Sequence, residues 1–181
     1  MFKTGLKTGC ALILGGAKSG KSTLALSMCN DLDMKHIFMA TAEAYDAEME
    51  ERIRRHRLER GDNWTTVEEP LDILLRIEEM DHDDTVILVD CLTLWLSNLF
   101  MRYDDHQEEI YRHIEELALR LTNPKGIIVL VSNEVGMGIV PENRLARDFR
   151  DAAGFMNQRI GGIARKAVIT FSGFPMILKD E

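Results

Sequence analysis

Gly15, Gly20, Lys21 and Ser22 stand in the spacing G-x-x-x-x-G-K-[ST] within "GGAKSGKS", residues 15–22. Glycines so placed let successive backbone N–H groups turn inward and cradle phosphate oxygens. The lysine that follows reaches the β- and γ-phosphates, and the next hydroxyl can ligate Mg2+. A second cluster lies in "ERIRRHRLERGDNW", residues 51–64, where His56 stands among Arg52, Arg54, Arg55, Arg57 and Arg60. Guanidinium groups bind polyphosphate and disfavour the imidazolium, so His56 is expected to keep a neutral ring with a free lone pair. Such a nitrogen, held against an activated phosphate, can act as a nucleophile; the competing reading is a structural histidine in a solvated charge run. "TVILVDCLT" supplies a third feature: an apolar run that ends in Asp90. A carboxylate there can orient Mg2+ beside a phosphate loop, or simply cap the helix that follows. The fourth, "SNEVGMGIVPENRLARDFRDAAGFMNQR" (132–159), joins Ser132, Asn133 and Glu134 to a Gly136/Gly138/Pro141 loop and a helix bearing Arg144, Arg147 and Arg150. It reads equally well as a ligand-binding edge and as an ordinary crossover.

These groups need elements to hold them. Short, nearly continuous apolar runs occur at 10–14, 36–40, 85–90, 126–132 and 167–172, the pattern of strands covered on both faces. Helical patterns fill 21–31, 44–60, 70–80, 92–100, 106–121 and 142–164. The alternation predicts an α/β fold with a mainly parallel sheet and helices on both faces. The chain is expected to turn at "SGFP" and return as "MIL" (176–178), an antiparallel edge. One domain, 10–181, follows an extension, 1–9, to which no role is assigned. The phosphate-loop motif then sits between a strand and a helix, the context that gives the motif meaning. On a helix over 44–60, Tyr45, Met49 and Ile53 share a stripe that His56 and Arg60 continue, so His56 is expected to face the body of the protein or its ligand.

Composition narrows the function. The 181 residues are 45% hydrophobic, enough for a full core. The longest apolar runs are far too short to span a bilayer. The formal charge of −8 argues against a nucleic-acid partner, although residues 52–60 hold five arginines against one glutamate. Cys10, Cys29 and Cys91 lack metal-like spacing and are expected to be buried, reduced thiols, which points to the cytoplasm. His36 lacks the arginine setting of His56, and His82, His106 and His113 are expected to face solvent.

Taken together, "LGGAKSGKS", "ATAEAYDAEMEERIRRHRLERGDNWTTVEEP", "VDCLTLWLSNL" and the 132–159 block resemble the adenosylcobinamide kinase/adenosylcobinamide-phosphate guanylyltransferase family over about residues 10–174. The resemblance implies a RecA-like P-loop fold, a trimeric assembly, and two reactions. One moves the γ-phosphoryl of ATP or GTP onto the aminopropanol hydroxyl of adenosylcobinamide. The other passes GMP from GTP through a histidine to adenosylcobinamide phosphate. By position, the guanylylated histidine is His56. The nucleotide-contacting positions are Gly15, Gly16, Ala17, Lys18, Ser19, Gly20, Lys21 and Ser22; Ala40, Thr41 and Ala42; Arg57, Leu58, Glu59 and Arg60; Glu68; and Asp90. Mg2+ falls to Ser22 and Asp90. Two rivals use the same loop: a small-molecule kinase without a covalent histidine, and a regulatory ATPase that works by changing shape.

Overall fold

A computed structural model describes residues 5–43, 61, 63–103 and 106–181. Strands β1 (Gly9–Gly15), β2 (Lys35–Ala40), β3 (Trp64–Glu68), β4 (Thr85–Asp90), β5 (Ile127–Asn133), β6 (Lys166–Phe171) and β7 (Phe174–Asp180) form one sheet in the order β3-β2-β4-β5-β1-β6-β7. All neighbours pair in parallel except β6 and β7. The predicted α/β class and antiparallel edge are both present. The helices are α1 (Lys21–Asn30), α2 (Ile73–Met80), α3 (Leu92–Tyr103), α4 (Gln107–Arg120) and α5 (Arg144–Ile163).

Period-two alternation divides the central strands between two cores. Leu12, Ile87, Val89, Ile128 and Leu130 pack with apolar residues of α2, α3, α4 and α5. Their neighbours Ile13, Val86, Leu88, Val129 and Val131 pack with Ala25, Met28 and Cys29 of α1 on the other face. This is why the strands read as unbroken apolar runs: both faces are covered. The strand β3 was not expected. Its five residues, "WTTVE", bury only Trp64 fully and sit at the sheet's edge, so they lack the continuous apolar signal of the inner strands. The predicted helix over 44–60 lies outside the described residues. No helix among the described residues is long and apolar enough to cross a membrane.

Candidate active site

β1 delivers the chain to the sheet's C-terminal edge and α1 carries it away, so 15–22 forms the turn between them. Gly20 caps α1 in the left-handed region at φ 93°, and no side chain caps that helix start. The first-turn N–H groups and the positive end of the helix dipole are thus left to an anion. At Gly15 the loop leaves the sheet so tightly that a Cβ would overlap Ser19 Oγ and Thr170 Oγ1 and lie 2.9 Å from the Thr170 carbonyl. Thr170 Oγ1 donates to the Leu14 carbonyl (3.1 Å). With its one proton so used, it accepts from the Ser19 hydroxyl at 2.7 Å. Gly173 N–H donates to the Ser19 carbonyl (2.8 Å), which latches the β6–β7 turn onto the loop. Lys21 Nζ donates to the Gly16 carbonyl at 3.2 Å and so lies back over the loop it follows.

The register of the sheet gathers the other positions. Glu68, Ala40 and Asp90 are paired in one row across β3, β2 and β4. Gly15 pairs with Asn133 of β5, the strand between β4 and β1. Asp90 is therefore two strands from the phosphate loop. Glu68, exposed, is four away, roughly 19 Å at ~4.8 Å per strand. Burial first, and then the Asp90 carboxylate, push the Cys91 thiol up to about 11 against an opposing pull from Lys21. The loop lysine and the strand-end acid thus act electrostatically on one atom. Burial likewise pushes Cys10 up to about 11 and Cys29 to about 12, so all three cysteines are free, buried thiols. Among the described residues no three His, Cys, Asp or Glu side chains cluster as a metal cage. A hydroxyl and one carboxylate, Ser22 and Asp90, suit Mg2+, which keeps waters and substrate phosphates as its remaining ligands.

Of the side chains that hold this edge, Thr93, Asn98 and Asn157 went unnoticed in the sequence. Thr93 Oγ1 accepts from Asn133 N–H (2.7 Å), and Asn157 Nδ2 donates to the Asn133 carbonyl (3.0 Å). Asn98 Nδ2 donates to both the Thr41 carbonyl (2.8 Å) and the Pro70 carbonyl (3.0 Å). Thr41, fully buried, donates its hydroxyl proton to the Cys91 carbonyl (2.7 Å) and accepts from Cys91 N–H (2.8 Å). Its hydroxyl thereby holds the chain directly after Asp90. Thr41→Val keeps the shape but strands both Cys91 groups, at a cost of about 1–3 kcal/mol in urea unfolding. It should also raise the Mg2+ concentration that supports half-maximal nucleotide binding about tenfold, whereas Thr41→Ser should retain both properties.

The remaining expectations divide. His56, Arg57, Leu58, Glu59 and Arg60 lie outside the described residues. Arg144 and Arg150 pair with Asp148 and Asp151, and Arg147 donates to the Pro141 carbonyl, so this helix face is engaged locally. His82 and His106 are exposed as expected, but His113 is half-buried and bonded to the Tyr103 hydroxyl at 2.9 Å. His36 bonds the Cys29 carbonyl and packs on Trp64, a structural role.

A parallel sheet whose first strand feeds G-x-x-x-x-G-K-S into a helix, with an acid ending a second strand two places away, defines a P-loop nucleotide-binding α/β protein. Solved structures share the fold: a Pyrococcus horikoshii OT3 protein (TM-score 0.57, 9% identity, 95% of this chain and 86% of that one) and an ATPase of a bacterial type III secretion system (TM-score 0.54, 13% identity, 89% and 50%). The chain belongs to the cobinamide kinase / cobinamide phosphate guanyltransferase family, whose model matches residues 11–178. It is 41% identical over 175 residues to the bifunctional adenosylcobalamin biosynthesis protein CobP of Pseudomonas aeruginosa, covering 94% of this chain and 97% of that one. It is 37% identical over 181 residues to the bifunctional protein CobU of Escherichia coli K12, covering 93% and 98%.

Proposed function

We propose that this protein is a bifunctional enzyme of adenosylcobalamin biosynthesis. It phosphorylates adenosylcobinamide with ATP or GTP, then converts the phosphate to adenosylcobinamide-GDP with GTP. The carrying observation is a family match across 11–178 on a chain whose phosphate loop has the geometry above. In the first reaction Gly15 to Ser22 wrap the β- and γ-phosphates and Lys21 swings from the Gly16 carbonyl onto their oxygens. The substrate alkoxyl oxygen bonds to the γ-phosphorus, the bond to the β-γ bridging oxygen breaks, and the hydroxyl proton leaves to solvent. Ser22 and Asp90 would hold Mg2+, which would supply charge neutralisation on the phosphates.

In the second reaction a ring nitrogen of His56 bonds to the α-phosphorus of GTP and pyrophosphate departs. A phosphate oxygen of adenosylcobinamide phosphate then takes the GMP and frees the histidine, a ping-pong pattern. Arg57 and Arg60 offset phosphate charge, while Ala40, Ala42 and Glu68 line the nucleotide's path along the sheet edge. Assembly as a homotrimer and a cytoplasmic setting complete the reading; the three reduced thiols favour the latter.

Purified protein incubated with cobinamide, GTP and Mg2+ tests it by product mass. The expected products carry one added phosphate and then one added GMP. Consumption of nucleotide with cobinamide unchanged defeats the reading in favour of a switching ATPase. Arrest at the phosphate points to a kinase alone.

A further inference from the structure

Between α3 and the start of α5 lies a groove of about 590 Å³ lined by Ser97, Phe100, Met101, Asn143, Leu145 and Phe149. That is within the ~300–1,000 Å³ of small-molecule sites. Exposed apolar side chains occur both on its lining and on the loop that precedes α5 in the chain. Met101 and Leu145 are exposed, as are Met137, Val140 and Ile139, the last at 96%. Exposed apolar residues gathered in this way mark a surface that meets something.

Two observations say what. The apolar loop is continuous with the phosphate site, because it starts at Glu134, whose N–H donates to the Gly15 carbonyl at 3.1 Å. The groove also lies at a defined depth. α3 begins at Leu92, two residues after Asp90. At ~1.5 Å per residue, Ser97 and Met101 sit roughly 8 and 14 Å along the helix. We infer that this groove and the 137–140 loop seat the corrin macrocycle of the substrate, with its aminopropanol arm running up to the phosphate loop. The inference rests on cobinamide being the substrate. Seven bonds separate the ring from the hydroxyl oxygen of that arm, a reach of about 8 Å at ~1.2 Å per backbone bond. A macrocycle on the groove therefore sends its hydroxyl up α3 toward the sheet edge that carries Asp90. The apolar faces of the ring suit Phe100, Met101, Leu145 and Ile139, and its peripheral amides suit the hydroxyl of Ser97 and the amide of Asn143.

Equilibrium dialysis of aquocobinamide, read by corrin absorbance, tests this with Met101→Glu and Leu145→Glu. Both side chains are exposed, so unchanged melting temperature and GTP affinity serve as controls for folding. Each charge is expected to raise the cobinamide Kd at least about tenfold, the cost of losing one apolar contact and burying a carboxylate. Cobinamide affinity within about twofold of the parent in both variants overturns the assignment. So does a change in oligomeric state by gel filtration with cobinamide binding intact, which assigns the groove to contact between copies. Failure of the parent protein itself to bind cobinamide is a different result, and it removes the substrate reading on which the inference stands.

Discussion

His56→Ala is expected to abolish uptake of label from GTP labelled at its α-phosphate, and the peptide that spans residue 56 is expected to gain no GMP mass. Transfer of GMP to cobinamide phosphate is expected to fall on the order of 10⁴-fold or more, because on the proposed mechanism loss of the covalent nucleophile removes both half-reactions at once. Phosphorylation of cobinamide is expected to survive, since in the proposed reaction the γ-phosphoryl passes directly between oxygens at the 15–22 loop. That split makes the result diagnostic. A general loss of folding or of nucleotide binding lowers both activities together, whereas loss of the nucleophile lowers one. The arginines add a second signature. In the proposed role Arg57 and Arg60 bind charge without forming the bond, so their alanine variants should slow adduct formation without preventing it. An adduct of undiminished yield on the His56→Ala protein places the nucleophile elsewhere.

The sequence makes plain those parts of this molecule whose physics is local. The P-loop is readable because spacing, strand and helix all fall within residues 9–30. The five inner and near-inner strands are readable because burial on both faces leaves unbroken apolar runs. β3 is not, because an edge strand needs only one covered side and "WTTVE" shows neither a run nor a clean alternation of burial. β7 is longer than the three residues expected, extending over Phe174–Asp180, since most of its length is exposed and its pairing with β6 is backbone-made. The alignment of Glu68, Ala40 and Asp90 in one row depends on sheet register, which is decided by packing across the fold. Thr41 shows the limit most clearly. The resemblance marks it as a nucleotide-contacting position, yet its hydroxyl bonds both Cys91 N–H and Cys91 C=O, 50 residues away in the chain. No local pattern announces such a partner.

Away from the chemistry, the largest loss of stability is expected from Asp81. It is fully buried at the end of α2. Its Oδ1 accepts from Gly126 N–H (2.8 Å), and its Oδ2 accepts from Lys125 N–H (2.8 Å) and Arg120 Nη2 (2.7 Å). One carboxylate thus fastens the end of α2 to the last turn of α4 and to the entry of β5. Asp81→Ala leaves two backbone donors and a largely buried guanidinium without their acceptor. The expected cost is about 3–5 kcal/mol, a large share of the ~5–15 kcal/mol that holds a domain together. Urea unfolding measures it directly. The same site carries a pH signature. Burial alone raises the Asp81 pKa, but the Gly126 N–H, the Arg120 guanidinium and the Lys125 N–H outweigh it and hold the carboxyl below its ordinary value. A folded-state pKa below the unfolded one means stability that is fully present above about pH 4 and lost as pH falls through the folded value. The gap in unfolding free energy between the parent and Asp81→Ala should therefore narrow on acidification below about pH 4. A gap that stays constant down to the acid transition shows that the carboxylate's charge is not what the three donors hold.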